Sequence, residues 1–283
     1  MSVRLRDALM RNLGQLRHEP TSKRVRAMLD GQAVVDSTRA VLVWEPRRIV
    51  PSYAVPREDV TGELVPAASP APEAGESVGH YLPDLSQLPV LDPSVPFETH
   101  TADGRPLSVR AGAGGAAGAA FELADADLAG HIVLDFAGFD AWYEEEGRIV
   151  GHPRDPFHRI DVLPSSRHVR LELDGQLLAE SSRSHTLFET MLPPRYYLPL
   201  ADIRADVQPS PTRTYCAYKG QASYWSFDVG GTVVPDLAWT YLEPLTDASN
   251  VKGLVALFDE RVDLVLDGVR QERPITPWSP RRR

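Results

Sequence analysis

The chain has 283 residues, enough for about two domains of ~150 residues, each able to bury its own core. A formal net charge of −9 argues against nucleic-acid binding, which calls for a basic face or stripe. One cysteine excludes an intrachain disulfide framework and a Cys-x-x-Cys zinc site.

Residues Met1–Pro20 set Leu5, Leu9, Leu13 and Leu16 at helical spacing among Arg4, Arg6, Arg11 and Arg17. This pattern reads as a short N-terminal helix packed on the body, with an Arg-rich presequence as the other reading. No apolar run approaches the ~18 residues of a membrane span, and no secretory apolar core follows the start, so a cytoplasmic protein is expected. Arg24–Asp30 alternates apolar and polar residues and runs into Asp30-Gly31, a two-residue hairpin signal. Thr61–Thr99, with seven prolines, reads as a long inserted loop, and Ala111–Ala120 as a hairpin with little side chain. Gly138–Glu146 reads as helical, with Glu144–Glu146 a solvated charge run. His152 and His158 flank two prolines and read as a connecting loop rather than a metal site.

From Ser166 the chain repeats itself. At an offset of 144, Ser22–Glu45 and Ser166–Glu189 share ten identities over 24 positions, among them Ser37/Ser181, Arg39/Arg183 and Glu45/Glu189. Arg26/Arg170 and Arg39/Arg183 recur in both copies, which points to a scaffold role. Tyr53–Val60 then matches Tyr196–Ile203, Ala120-Phe121 matches Ala238-Trp239, and Gly130–Phe136 resembles Lys252–Phe258. His168–Asp174 reaches a second Asp-Gly, and Asp267-Gly268 supplies a third. Ala222–Val229 and Val251–Phe258 read as further strands. The expected fold is mainly β: two tandem, compact, mostly antiparallel domains with a short N-terminal helix. The expected organisation is a helix over 1–20, a first domain over 21–152 with its insertion at 61–99, and a connector over 153–165. A second domain over 166–278 and a basic tail over 279–283 follow.

The chemistry gathers in Thr214–Trp225, where Cys216 stands three residues from Lys219, one of only three lysines among 30 basic residues. Lysine, unlike arginine, is a compact amine whose pKa moves far enough for chemistry. Lys219, Cys216 and Tyr218 are therefore the candidate reactive group. Aromatic neighbours would desolvate the amine, which could then bind an anion, act as a base or form a Schiff base. In an extended segment Lys219 points away from Cys216 and Tyr218; a turn at Tyr218–Gly220 would bring them together. Tyr197, Tyr224, Trp225, Trp239 and Tyr241 are candidate ligand-binding walls, suited to a flat or cationic molecule, and Arg195 a candidate clamp for a carboxylate or phosphate. The expected partner is a small molecule, with no metal, cofactor, nucleic acid or membrane. An enzyme, a binding module and a structural protein whose motif is core packing all remain open.

The run Arg195-Tyr-Tyr-Leu-Pro199, Thr214-Tyr-Cys-Ala-Tyr-Lys-Gly-Gln-Ala-Ser-Tyr-Trp225 and Ala238-Trp-Thr-Tyr241 resembles the family catalogued as domain of unknown function 427. Ala217 stands where that family usually has proline. The resemblance covers about Ser166–Pro277, and Ser22–Val150 only through the repeat. It implies a compact antiparallel fold, similar to the small β-tent folds that hold a ligand or zinc between two sheets. The zinc cysteines of those folds are absent. Some labels of the family suggest nucleotidyl transfer, but no phosphate-cradling glycine loop or paired metal-binding carboxylates accompany it here. In the first copy His100 aligns with Cys216, Ala102 and Asp103 with Tyr218 and Lys219, Gly104 with Gly220, and Ser108-Val109 with Tyr224-Trp225. That copy is thus degenerate, either a structural partner or half of a composite site.

Overall fold

Asp30-Gly31, Asp174-Gly175 and Asp267-Gly268 all take positive φ at both residues, from 50° to 81°. Two left-handed residues in succession make the tight turn whose twist matches the flanking strands, and Asp-Gly is among the pairs that reach it at least cost. Strands therefore flank all three turns.

A computed structural model describes residues 2–68, 78–82, 88–112 and 114–280. It divides into two units, Met1–Pro156 and Phe157–Arg283. In the first unit a helix, α1 (Leu5–Met10), precedes β1 (Arg17–Pro20), β2 (Val25–Leu29), β3 (Gln32–Ser37), β4 (Val41–Trp44), β5 (Ser52–Pro56) and β6 (Glu63–Pro66). It continues through β7 (Gly104–Ala111), β8 (Gly114–Leu123), β9 (His131–Leu134), β10 (Ala141–Glu144) and β11 (Gly147–Ile149). The second unit begins with β12 (Ile160–Ser165), β13 (Val169–Leu173), β14 (Gln176–Ser181), β15 (Ser184–Glu189), β16 (Arg195–Leu198) and β17 (Val207–Cys216). It ends with β18 (Gly220–Val229), β19 (Thr232–Tyr241), β20 (Val255–Leu257), β21 (Asp263–Leu266) and β22 (Val269–Arg270).

The chain is mostly β, in four antiparallel sheets, two to each unit. The large sheets run β1-β4-β5-β9-β8-β7-β6 and β12-β15-β16-β20-β19-β18-β17, the same order element for element. The small sheets, β11-β10-β2-β3 and β14-β13-β21-β22, correspond in the same way, read in opposite directions. Even the irregularities recur. Register shifts fall at Ala27/Met28 and Leu171/Glu172, and again at Leu107/Val109 and Trp225/Phe227. One core fills the space between large and small sheets, around Val25, Leu42, Tyr53 and Trp142 in the first unit and Val169, Leu198, Phe227 and Leu264 in the second. Strand alternation gives each large sheet a second apolar cluster on its outer face.

The repeated Ser and Arg form a brace. Ser37 Oγ donates to Asp59 at 2.7 Å and Arg39 bonds its other oxygen at 2.7 Å; Ser181 and Arg183 hold Asp202 at 2.7 and 2.8 Å. The matching Arg26 and Arg170 lie on the surface, pairing with Glu146 and with Glu172 and Glu180.

Several expectations are corrected. The N-terminal helix spans only Leu5–Met10, leaves Leu5 and Leu9 exposed, and gives way to β1 at Arg17–Pro20. The helix expected over Gly138–Glu146 is the β10–β11 hairpin instead, since Trp142 reaches the core from a strand paired with β2. Of Val251–Phe258 only Val255–Leu257 is strand, preceded by a 3-10 turn over Thr246–Val251. Within the Pro-rich segment, residues 69–77 and 83–87 lie outside the described residues. Glu63–Pro66 is strand, and Arg48 fixes the far end by donating to the carbonyls of Val95, Pro96 and Thr99 at 2.7–3.1 Å.

The ladders also shift two alignments. Ala120 pairs with Leu134 and Ala238 with Leu257, so Gly130 matches Gly253, one residue beyond the sequence alignment. Gly104 pairs with Leu123 and Ala222 with Tyr241, so Tyr224-Trp225 match Pro106-Leu107 rather than Ser108-Val109. Few shared side chains mark these stretches, and a two-residue slip preserves strand alternation, so the sequence did not resist it.

Candidate functional site

The β17–β18 hairpin turns through Ala217-Tyr218-Lys219 and closes at Gly220, whose φ of +92° favours glycine. The extended geometry that would separate Lys219 from its neighbours therefore does not apply here. The turn brings Lys219 to the end of β15, where its Nζ donates to both oxygens of Glu189 at 2.6 and 2.5 Å. His158, just ahead of β12, meets the same carboxylate through Nε2 at 3.0 Å. A carboxylate only accepts, so Nε2 carries the proton. The Tyr218 ring stacks on that imidazole at 4.2 Å and 21°.

This network is largely withdrawn from water, with side-chain exposures of 11% for Lys219 and 6% for Glu189. Burial pushes the Glu189 carboxyl up, but the Lys219 charge and the hydrogen bonds from His158 and Lys219 outweigh it and bring the pKa to about 2. Glu189 is thus an ionised carboxylate, paired through both of its oxygens with Lys219 Nζ.

The aromatic residues divide by strand alternation. Tyr197, Trp239 and Tyr241 share the outer face of the large sheet, with Tyr224 at their edge. Trp239 Nε1 donates to the buried Tyr197 hydroxyl at 2.9 Å, and the Tyr224 hydroxyl bonds Thr214 Oγ1 at 2.8 Å. Burial pushes the Tyr197 and Tyr241 hydroxyls far up, with Glu189 and Cys216 adding to the effect, so both are neutral phenols. Cys216 is half-buried and unbridged. Trp225 is not a wall of this face: it points into the inner core, where its Nε1 is buried without a partner.

Arg195 is not an open clamp. It is buried, forks onto both oxygens of Glu260 at 2.9 and 2.5 Å, and lies 3.7 Å from Asp259. Trp239 and Trp278 flank its guanidinium at 5.6 and 5.8 Å. Burial, opposed by Arg195 and helped by Glu260, pushes the Asp259 carboxyl up to about 7.

Glu189, His158 and Glu260 were missed from the sequence as site residues. Glu189 left a trace as one of the ten repeat identities, and its counterpart shows what the position is for. In the first unit Glu45 is likewise buried and accepts His100 Nδ1 at 2.9 Å and the backbone N–H groups of Thr101 and Ala102 at 2.8 and 3.2 Å. His100 stacks on Phe121 at 3.6 Å and is committed within its own unit. Both carboxylates anchor the turn into the next hairpin; only the second does so through a lysine. Where the second unit has Tyr197, Trp239 and Tyr241, the first has Ala54, Phe121 and Leu123. Among the described residues no group of three or more His, Cys, Asp or Glu side chains is arranged to hold a metal ion, and no helix is long and apolar enough to cross a membrane.

Comparison with curated proteins returns no match. One family model matches in two pieces, residues 17–73 and 161–268, one in each unit. The chain therefore belongs to the family described as Domain of unknown function (DUF427), as a tandem and partly degenerate copy of its domain.

Proposed function

We propose that the second domain is a cytoplasmic small-molecule-binding module, with Lys219, Glu189 and His158 at the polar end of its site. Tyr218 and Cys216 form the rim, and Tyr197, Trp239 and Tyr241 the wall. The observation that carries this reading is internal to the chain. The first domain builds the same sheets with Ala54, Phe121 and Leu123 in place of Tyr197, Trp239 and Tyr241, and with backbone N–H groups in place of the Lys219 amine. The fold therefore does not need these polar groups, and a buried ion pair is weak evidence for a stabilising role.

An anionic ligand would compete with Glu189 for the ammonium, while a flat portion would lie on the aromatic wall. Binding ranks ahead of catalysis because Lys219 Nζ is engaged by both oxygens of Glu189, at 2.6 and 2.5 Å. A structural role is the second reading, favoured by the mutual satisfaction of the Lys219–Glu189 and Trp239–Tyr197 pairs. A thermal-shift screen of the full chain against metabolites distinguishes them. A ligand at about 100 times its Kd adds roughly 2.7 kcal/mol, a rise of several degrees. That rise should fall sharply in Tyr218→Ala and Lys219→Met, while Lys219→Arg, which keeps the charge, should retain much of it. If no compound raises the wild-type Tm, and Tyr218→Ala and Lys219→Met both melt lower, the structural reading stands.

A further inference from the structure

The first domain closes the mouth between its sheets with side chains that the second domain lacks. Trp142 is 1% exposed there, stacked on Tyr53 at 5.4 Å and on Phe136 at 5.5 Å, with Trp44 and Leu42 in the same core. The ladders equate Trp142 with Leu264, Phe136 with Asp259, Trp44 with Phe188 and Leu42 with Thr186. Each replacement removes apolar volume. Two of these positions, Thr186 and Phe188, line a groove of about 240 Å³ together with Leu163, Pro194, Arg167 and Tyr196, the counterpart of the Tyr53 on which Trp142 stacks. Phe188 stands 45% exposed at its rim, where Trp44 is buried in the first domain.

The same comparison identifies a missing charge. In the first domain Glu144 accepts from Lys23 Nζ at 2.5 Å and from the Tyr53 hydroxyl at 2.5 Å. Lys23 corresponds to Arg167 and Tyr53 to Tyr196, both in the groove. Glu144, however, corresponds to Leu266. The register is secure here, because Glu145 bonds the Arg24 N–H as Asp267 bonds the His168 N–H. The Tyr196 hydroxyl is left without a protein hydrogen-bond partner among the described residues. Among the described residues Arg167 pairs with Asp267 through Nε, at 2.6 Å on an exposed surface.

We propose that this groove binds a small aromatic carboxylate. Its ring takes the place of the first domain's Trp142 and Trp44 side chains, and its carboxylate lies between Arg167 and Tyr196, where the first domain has Glu144. The change from Lys23 to Arg167 fits, since a guanidinium fork engages a carboxylate through two parallel bonds. The site is separate from the Lys219 network. Thr186 and Tyr196 face inward from strands whose Leu187 and Tyr197 face outward.

Calorimetric titration of the full chain with benzoate and with indole-3-carboxylate tests the proposal. A ligand of this size, filling so small a groove, should bind with a Kd of roughly tens of micromolar to millimolar. The corresponding carboxamides should bind at least about tenfold more weakly, and Arg167→Gln should lower carboxylate affinity by a similar factor. Tyr196→Phe removes one hydroxyl at constant shape and should cost about fivefold. Thr186→Leu with Phe188→Trp, which restores two of the first domain's side chains, should abolish binding while circular dichroism shows the fold retained. The proposal is overturned if neither carboxylate binds at millimolar concentration, or if the carboxamides bind equally well. Affinity indifferent to Arg167→Gln and Tyr196→Phe, or undiminished in the refilled variant, overturns it too.

Discussion

Lys219→Met keeps most of the side-chain stem but removes the charge from the Glu189 network. In the native protein the Glu189 carboxyl lies at about 2 against an ordinary 4.5, so its ionisation contributes about 3 kcal/mol. A depressed carboxyl contributes stability above its unfolded pKa and loses it as pH falls through the folded one. That contribution is thus intact above about pH 4.5 and lost toward pH 2. Without Lys219, burial, the largest single influence on Glu189, is opposed only by His158. Removing one partner of a buried pair costs about 3–5 kcal/mol, and that is the loss expected at pH 7. The variant relieves it by taking up a proton on the Glu189 carboxyl, which burial pushes up once the Lys219 charge is gone. The deficit should therefore shrink as pH falls from 7 toward 4.5. Native-state hydrogen exchange of β18 and β19 amides, corrected for intrinsic rates, reads the second domain separately within the full chain. Glu189→Leu combined with Lys219→Met should recover most of the loss. A deficit under about 1 kcal/mol at pH 7, or one constant between pH 7 and 4.5, refutes the reasoning.

Asp259 titrates in the opposite sense: a carboxyl raised to about 7 in the folded state favours the protonated native form, so stability falls as pH rises from about 4 to 7. Asp259→Asn should remove a penalty of up to about 4 kcal/mol at pH 8 and little at pH 4, read by calorimetric melting at the two values. Trp239→Phe leaves the Tyr197 hydroxyl buried without its donor, and Tyr197→Phe leaves Trp239 Nε1 unpaired; each should cost about 1–3 kcal/mol by urea unfolding. The double variant should lose less than the sum of the two, and strict additivity would show that the bond contributes nothing. Ser37→Ala and Ser181→Ala cut the same brace in the two domains and should each cost about 1–3 kcal/mol, with similar values expected from the matched geometry.

What was legible in the sequence was what local chemistry dictates. Asp-Gly pairs announced three hairpins because few dipeptides reach two successive left-handed residues cheaply, and the Ser22–Glu45 repeat exposed the tandem organisation. Gly138–Glu146 misled because a short charged segment with three aromatics carries little periodicity, and pairing with β2 decided its structure. The lysine was visible as a rarity, but not its partner, since Glu189 lies 30 residues upstream and meets it only through the turn at Gly220. Arg195 looked like an available clamp because no sequence pattern shows that Glu260, 65 residues later, occupies its fork. Trp225 was grouped with Trp239 by proximity in the motif, whereas strand alternation sends it to the opposite face of the sheet.

The two domains are each other's control, and their differences run in opposite directions on the two faces of one sheet. On the outer face the second domain has phenols, an indole N–H and an amine where the first has apolar side chains and backbone donors. On the inner face it has lost aromatic volume and a carboxylate that the first retains. At these positions the first domain is the more apolar, with Ala54, Leu123 and Phe121 outside and Trp44 and Trp142 within. The second departs from it on both faces at once, keeping buried hydroxyls and an open groove where the fold permits a denser and less polar solution. Polar groups and open volume that run against local stability are the ground for placing both proposed sites in the second domain.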